Sequence, residues 1–419
     1  MEKENIGTLI NEANNRVLEI LLSAEPVWID VKPAIEAVGG MRKNTILHSG
    51  PPIPWEEMCK VQRKGIIGGI LHERIADSEE DAVNLVEKGV VDIKSANDLR
   101  VVGAGVGIVT ASMMVNICRD KRTGREGYCC PFEGRVGLST WGVYNEDIEK
   151  RLKVIETLFG PTLSKVLKEC GGIDTKNIIA RATQMQDESH TRQVASGLIL
   201  VSEIMPYLVR ANLDKDVLIQ CVDILVKTER FFHPLGMASF MATLSGAMNI
   251  EYSTIVTTMT GNGVTFGIKV SSLGDEWFTD RAPLLYGKYL APQWGPEDSI
   301  PWLGDSCIVE TSGLGGFAAA AAPLLLQLRG GSVKDAIWQT EEMRAICVGT
   351  NNNFSIPLLD LMGPPVGIDI RKVLETGITP VLHGGIISRE GGQIGAGTAR
   401  APLECFIKAL YAFGKKYQL

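Results

Sequence analysis

The stretch MQDESHTRQ, Met185 to Gln193, decides how the rest of the chain is read. It lies in a segment where Ile178, Ile179, Ala182 and Met185 recur at helical spacing. The pattern predicts one helix from Asn177 to Met205, capped at its start by Asp174 and closed by Pro206. On such a helix Asp187 and His190 share a face, and Glu188 stands four residues from Arg192, at pairing distance. A carboxylate beside an imidazole fixes its tautomer and raises its basicity, as a general base requires. The same spacing also describes a solvated face laced by one ion pair worth about 0.3–0.5 kcal/mol. Spacing alone leans slightly to the solvated face. The setting leans the other way: the chain has five histidines, and this one has acidic neighbours in an otherwise apolar segment.

With 419 residues the chain is long enough for two or three domains with full cores. A formal net charge of −7 and the lack of a basic run argue against general nucleic-acid or membrane-surface binding. Nine cysteines without paired spacing fit a reducing compartment, and adjacent Cys129 and Cys130 suit buried thiols better than a metal site. The N-terminus, MEKENIGTLINEANNRV, is too polar for a signal peptide. The longest apolar run, Phe317 to Leu326, falls far short of the ~20 residues of a spanning helix. A cytoplasmic protein is expected.

Working outward from the charged stretch, the chain reads as α+β, with mixed α/β N- and C-terminal parts and a mostly helical middle domain. The expected boundaries are 1–145, 146–230 and 231–419, the last with glycine-rich site loops. In the first part, TILHSGPPIPWEEM makes a rigid loop at a strand end, with His48 at its start. Gly103, Gly105 and Gly107 lack the third small residue of a dinucleotide turn, since Ile108 stands there; tight packing or a bulge is expected. In the last part, STIVTTMTGNGVTFGIKVSS reads as a hairpin turning at Asn262 and Gly263. GDSCIVETSGLGGFAAAAAPLLLQL, Gly304 to Leu328, predicts a strand from Cys307 to Glu310 and a glycine loop from Gly313 to Gly316, opening an alanine-rich helix. Free N–H groups at such a helix start attract anions; a tight strand-to-helix turn is the alternative. Asp305, Glu310 and Thr311 flank the loop, where a metal or a substrate amide could be held. A final glycine-rich return carries His383, Arg389 and Gln393 and suits a small anion, or is a surface loop.

LHSGPPIPWEEM, MQDESHTRQ, STIVTTMTGNGVTFGI, GDSCIVETSGLGGFAAAAAP and GGQIGAG, in this order over nearly the full length, resemble the AllG/YlbE-like family. The resemblance implies a multi-subunit oxamate carbamoyltransferase of anaerobic allantoin breakdown, converting oxalurate and phosphate to oxamate and carbamoyl phosphate. It also implies an FdrA-like partner subunit related to acyl-CoA synthetases, and a third, smaller subunit. The family's charged motif is closer to G-D-E-x-H-N-R-N. Here Gln186, Thr191 and Gln193 replace the glycine and both asparagines, while Asp187, Glu188, His190 and Arg192 match. Gly261 stands where the family's hairpin usually carries arginine. The S-x-R-T and H-P-x-Q motifs of aspartate and ornithine carbamoyltransferases are lacking; His233-Pro234-Leu235-Gly236 ends in the wrong residue.

Carbamoyl transfer needs a phosphate cradle, a donor to the developing oxyanion and a base for the amide proton. The expected roles are a cradle at Gly313, Gly315 and Gly316 assisted by Arg389, His190 as base oriented by Asp187, and Arg192 on the carboxylate of oxamate. Two other classes stay open. One is a non-catalytic substrate-binding or assembly subunit. The other is a metal-dependent amidohydrolase holding a divalent metal with Asp187, Glu188 and His190.

Overall fold

A computed structural model describes residues 3–134, 136–228, 230–327 and 331–419. Its central sheet is antiparallel, in the order Glu126–Cys129, Met114–Asp120, Pro26–Pro33, Ile173–Asp174. The charged segment between Met114–Asp120 and Glu126–Cys129 is a hairpin tip. Asp120 ties that tip by accepting from the backbone N and hydroxyl of Thr123. The apolar helix Phe232–Gly246 lies on this sheet, buried at Ala238, Met241 and Ala242. Gly127 permits the approach, because a Cβ there would run into the backbone of Ala238 and Ala242.

A second sheet orders Leu303–Gly304, Val256–Asn262, Thr265–Val270 and Phe278–Arg281; a third orders Tyr286–Tyr289, Gln393–Arg400 and Val381–Ile387. The predicted hairpin is present. Gly263 takes the positive φ of +83°, and Asn262 Oδ1 accepts from the backbone N of Val264 and Thr265. The middle of the chain is mostly helical, with Glu146–Val154, Gly160–Cys170, Thr175–Thr183, Val194–Arg210 and Lys215–Lys227. The class is mixed α+β, as expected. No helix among the described residues is long and apolar enough to cross a membrane.

The structure corrects three local expectations. The segment Asn177–Met205 is two helices, Thr175–Thr183 and Val194–Arg210, joined by a turn in which Gln186 and Ser189 have φ of +64° and +67°. Asp187 and Glu188 accept from the backbone N–H groups of Ser189, Ser196, Thr191 and Arg192. Those N–H groups are therefore lost to a helical ladder, which is why acidic residues break a pattern that apolar periodicity alone would continue. Asp174 caps the first helix as predicted, through Asn177 N. Pro206, however, sits inside the second helix, which runs on to Arg210. Ser202 and Pro206 are both exposed, so the carbonyl that loses its partner is open to water.

The third correction concerns Cys307–Glu310. The strand is Leu303–Gly304, and Ile308–Thr311 is a short helix. The alanine run is a 3₁₀ segment, Gly315–Ala321, kinked at Ala318. Directly after the strand, the Asp305 carboxylate turns inward and accepts from Gly50 N, Gly103 N and Asn97 Nδ2. Leu328, at the end of this stretch, lies outside the described residues.

One buried ion cluster ties the N-terminal part to the helical part. His72, at the end of the helix Lys60–His72, holds Glu149 through Nδ1 and Glu156 through Nε2, both at 2.7 Å. Burial pulls the His72 value down, but the two carboxylates outweigh it and hold it above its ordinary 6.5. The stabilisation is therefore complete below pH 6.5 and fades as pH rises through the raised folded-state value. His72→Leu strands two partly buried carboxylates and is expected to destabilise by about 3 kcal/mol. Urea unfolding at pH 6 and pH 9 should show a larger difference from wild type at pH 6.

Candidate active site

A cleft of about 340 Å³ opens where all three parts of the chain meet. The turn 184–193 supplies His190, and the entry to the helix Phe232–Gly246 supplies Arg230 and His233. The strand Tyr286–Tyr289 supplies Lys288, the segment before Leu303 supplies Trp302, and the strand Gln393–Arg400 supplies Gln393. Aromatic and aliphatic side chains form most of the remaining wall, a common composition for a small-molecule site with few polar groups.

His190 is the best-held side chain on this wall. Its Nδ1 lies 2.8 and 2.9 Å from the two carboxylate oxygens of Glu310. Its ring stacks on His233 at 5.6 Å and 16°, and meets the edge of Trp302 at 6.2 Å. Glu310 is fully buried and is itself fixed by the backbone N–H groups of Gly316, at 2.9 Å, and His383, at 3.1 Å. Gly315, with φ of +58°, lies against that carboxylate, where a Cβ would collide with it. The pair is thus a carboxylate-oriented imidazole, an arrangement that steadies one ring nitrogen and leaves the chemistry to the other.

His233 behaves differently. Burial, then repulsion from His190 and Arg230, pushes it down to about 3, so it is neutral at physiological pH. Gln193 Nε2 sits 3.0 Å from its Nδ1. Glu188 is buried, and its Oε1 accepts from the backbone N–H groups of Thr191 and Arg192 and from the Thr191 hydroxyl.

The sequence-predicted residues divide into two groups. His190 and Gln393 line the cleft, and Glu310 and Glu188 lie directly behind it. Asp187 does not orient His190: its oxygens bind Ser189 N and the N and Oγ of Ser196, and burial pushes it up to about 6. The residue in the orienting place is Glu310, 120 positions further on. Arg192 is outside the cleft wall, and its backbone N–H serves Glu188. The expected cradle is spent internally: Gly313 N donates to Glu310 O, Gly315 N to Glu188 O, and Gly316 N to the Glu310 carboxylate. Thr311 Oγ1 returns to Cys307 O, and Arg389 donates to Ser299 O. His48 is buried against Ser49 O and Gln62, and burial lowers it. Asn262 ties the hairpin to Pro51 O. Burial pushes Asp305 up to about 6, still ionised at neutral pH, as its four donors require.

The metal expectation fails on geometry. Asp187 is taken up by Ser189 and Ser196, and Glu188 turns Oε1 to the backbone of Thr191 and Arg192 and Oε2 toward His383, so the two carboxylates do not converge with His190. Among the described residues no three His, Cys, Asp or Glu side chains are gathered as ligands. Arg230, His233 and Lys288 were not singled out as site residues from sequence. Arg230 and His233 stand three apart at a helix entry, a spacing that marks one face, but Lys288 carries no local signal at all.

The family profile described as oxamate carbamoyltransferase subunit AllG matches residues 91–306. The oxamate carbamoyltransferase subunit AllG of Escherichia coli K12 is 37% identical over 97% of this chain and 98% of its own length. A second protein of that organism, YahG, described as uncharacterized, is 36% identical over 97% of this chain and 87% of its own. A crystal structure of a conserved protein of unknown function from Enterococcus faecalis V583 superposes with a TM-score of 0.95 at 34% identity, covering 98% of this chain and 99% of that one. With relatives this similar along nearly its whole length, the chain belongs to the AllG family.

Proposed function

We propose that this chain is the carbamoyl-transfer subunit of an oxamate carbamoyltransferase-like complex, acting with an FdrA-like subunit and a third small subunit. The observation that carries the reading is the His190–Glu310 pair on the wall of a cleft that also presents Arg230 and Lys288. In the phosphorolytic direction a phosphate oxygen attacks the ureido carbonyl of oxalurate. The C–N bond breaks, and the nitrogen leaves as the amide of oxamate. The proton that phosphate brings is passed to that nitrogen, so hydrogen phosphate and oxalurate balance carbamoyl phosphate and oxamate. His190, steadied through Nδ1 by Glu310, carries the proton on Nε2. Lys288 and Arg230 supply positive charge to the substrate carboxylate and to phosphate, in place of Arg192 and the glycine loop. Neutral His233 keeps a third positive charge from competing beside His190.

The test is phosphate-dependent carbamoyl phosphate formation from oxalurate, with the chain mixed with its neighbouring gene products and each protein omitted in turn. Activity that requires this chain supports the reading. Lys288→Ala is expected to raise the KM for oxalurate about tenfold or more, the loss of one charge-assisted contact of about 1.5–3 kcal/mol. Turnover that survives omission of the chain ends the proposal. Turnover that needs the chain but survives His190→Ala makes it an assembly subunit.

A further inference from the structure

The helix Val333–Arg344 does not touch the cleft, yet one of its residues reaches the back of the site. Gln339 is buried, and its amide nitrogen lies 2.8 Å from Gly316 O and 3.0 Å from His383 Nε2. Gly316 and His383 are the two residues whose backbone N–H groups hold the Glu310 carboxylate. A single side chain therefore braces both donors that seat the partner of His190.

We infer that Gln339 is a positioning residue: its amide fixes the tautomer of His383 and, through Gly316 and His383, seats the Glu310 carboxylate on His190. This rests on the reading of His190 as the proton carrier.

The tautomer follows from donor counting. Gly316 O can only accept, so the Gln339 atom facing it is the NH₂ group, which has two hydrogens. One goes to Gly316 O and the other to His383 Nε2, which must then be the bare, accepting nitrogen. The proton of His383 is on Nδ1, directed at Glu188 Oε2 at 3.7 Å, an ion-pair separation rather than a hydrogen bond. His383 is thus a neutral imidazole facing an ionised carboxylate. Among the described residues, the charged groups facing it include Glu188 from the turn 184–193 and Glu310 from the short helix Ile308–Thr311, with His190 beyond Glu310.

Neutrality here has a consequence for His190. An imidazolium at His383 would compete for the negative charge of Glu310 and make His190 a weaker base. By occupying His383 Nε2, Gln339 keeps that charge for His190. The conservative replacement Gln339→Glu places an acceptor at the same point, which would pull a proton onto Nε2.

The first test reads the wild-type chain alone, by ¹⁵N-resolved NMR of its histidine side chains between pH 6 and 8. His383 is expected as the Nδ1–H tautomer with unprotonated Nε2 throughout. A protonated Nε2 overturns the inference, whatever the assembled enzyme does. The second test is the pH–rate profile of Gln339→Met and Gln339→Glu in the assembled enzyme. Both should shift the acidic limb of kcat to a different pH by about half a unit or more, with the KM for oxalurate nearly unchanged. Variants that fold, as judged by circular dichroism, and leave the limb in place overturn the positioning role. Failure of the whole complex to turn over oxalurate would defeat the functional reading while leaving the NMR result to decide the tautomer.

Discussion

His190→Ala in the assembled enzyme is expected to lower kcat by about 10²- to 10⁴-fold, the range for loss of a positioned proton carrier. The KM for oxalurate should change little, because the imidazole acts on the proton rather than on the carboxylate. Glu310→Gln should follow in the same direction with a smaller loss. An amide still fills the space and can accept from Nδ1–H, but it no longer supplies the negative charge that favours protonated His190. Asp187→Asn is the discriminating control. Its oxygens serve Ser189 and Ser196, so it should leave the kcat of folded enzyme near wild type and show its effect in thermal stability. Single-turnover rates for the three variants, with circular dichroism to confirm folding, check the order. A kcat loss in Asp187→Asn as large as that in Glu310→Gln would return the orienting role to Asp187.

Asp305→Ala is expected to destabilise the chain by about 3–5 kcal/mol, the scale for breaking a buried, hydrogen-bonded charge from one side. Its carboxylate accepts from Gly50 N at 2.9 Å, Gly103 N at 2.9 Å, Asn97 Nδ2 at 2.7 Å and the Thr260 hydroxyl. These donors come from four separate segments, two of them glycine loops whose backbone would be left unpaired in the interior. Asp305→Asn can keep part of the network and should lose less. Urea unfolding of the isolated chain at pH 7 measures both. A change in Asp305→Ala below about 1 kcal/mol would mean that water replaces the carboxylate, and that these loops are not held together by it.

Much of the local structure was legible in the chain itself, for local physical reasons. Asn262 and Gly263 specify a tight turn because only certain residues accept positive φ, and the hairpin is where that rule places it. Asp174 starts a helix because its side-chain oxygen reaches a first-turn free N–H group. The glycines at 103, 105 and 107 were rightly read as close packing, since Gly103 abuts Gly107. The helix across Met185–Gln193 was misread because apolar periodicity carries no record of side chains that bind the backbone. Asp187 and Glu188 do so, and they break the helix at the point where the pattern looked continuous.

By itself the sequence determined the α+β class, the helical middle and the membership of the AllG family, and it singled out His190 among acidic neighbours. Those depend on periodicity, turn chemistry and ordered motifs, all of which are written along the chain. Only the tertiary structure decided what His190 answers to. Its carboxylate is Glu310 rather than Asp187, its stacked neighbour is His233, and the cations beside it are Arg230 and Lys288. A carboxylate three positions away is a candidate only while the segment stays helical. Once Asp187 and Glu188 turn to the backbone, the imidazole is paired by whatever packing brings to it, and sequence separation ceases to measure distance.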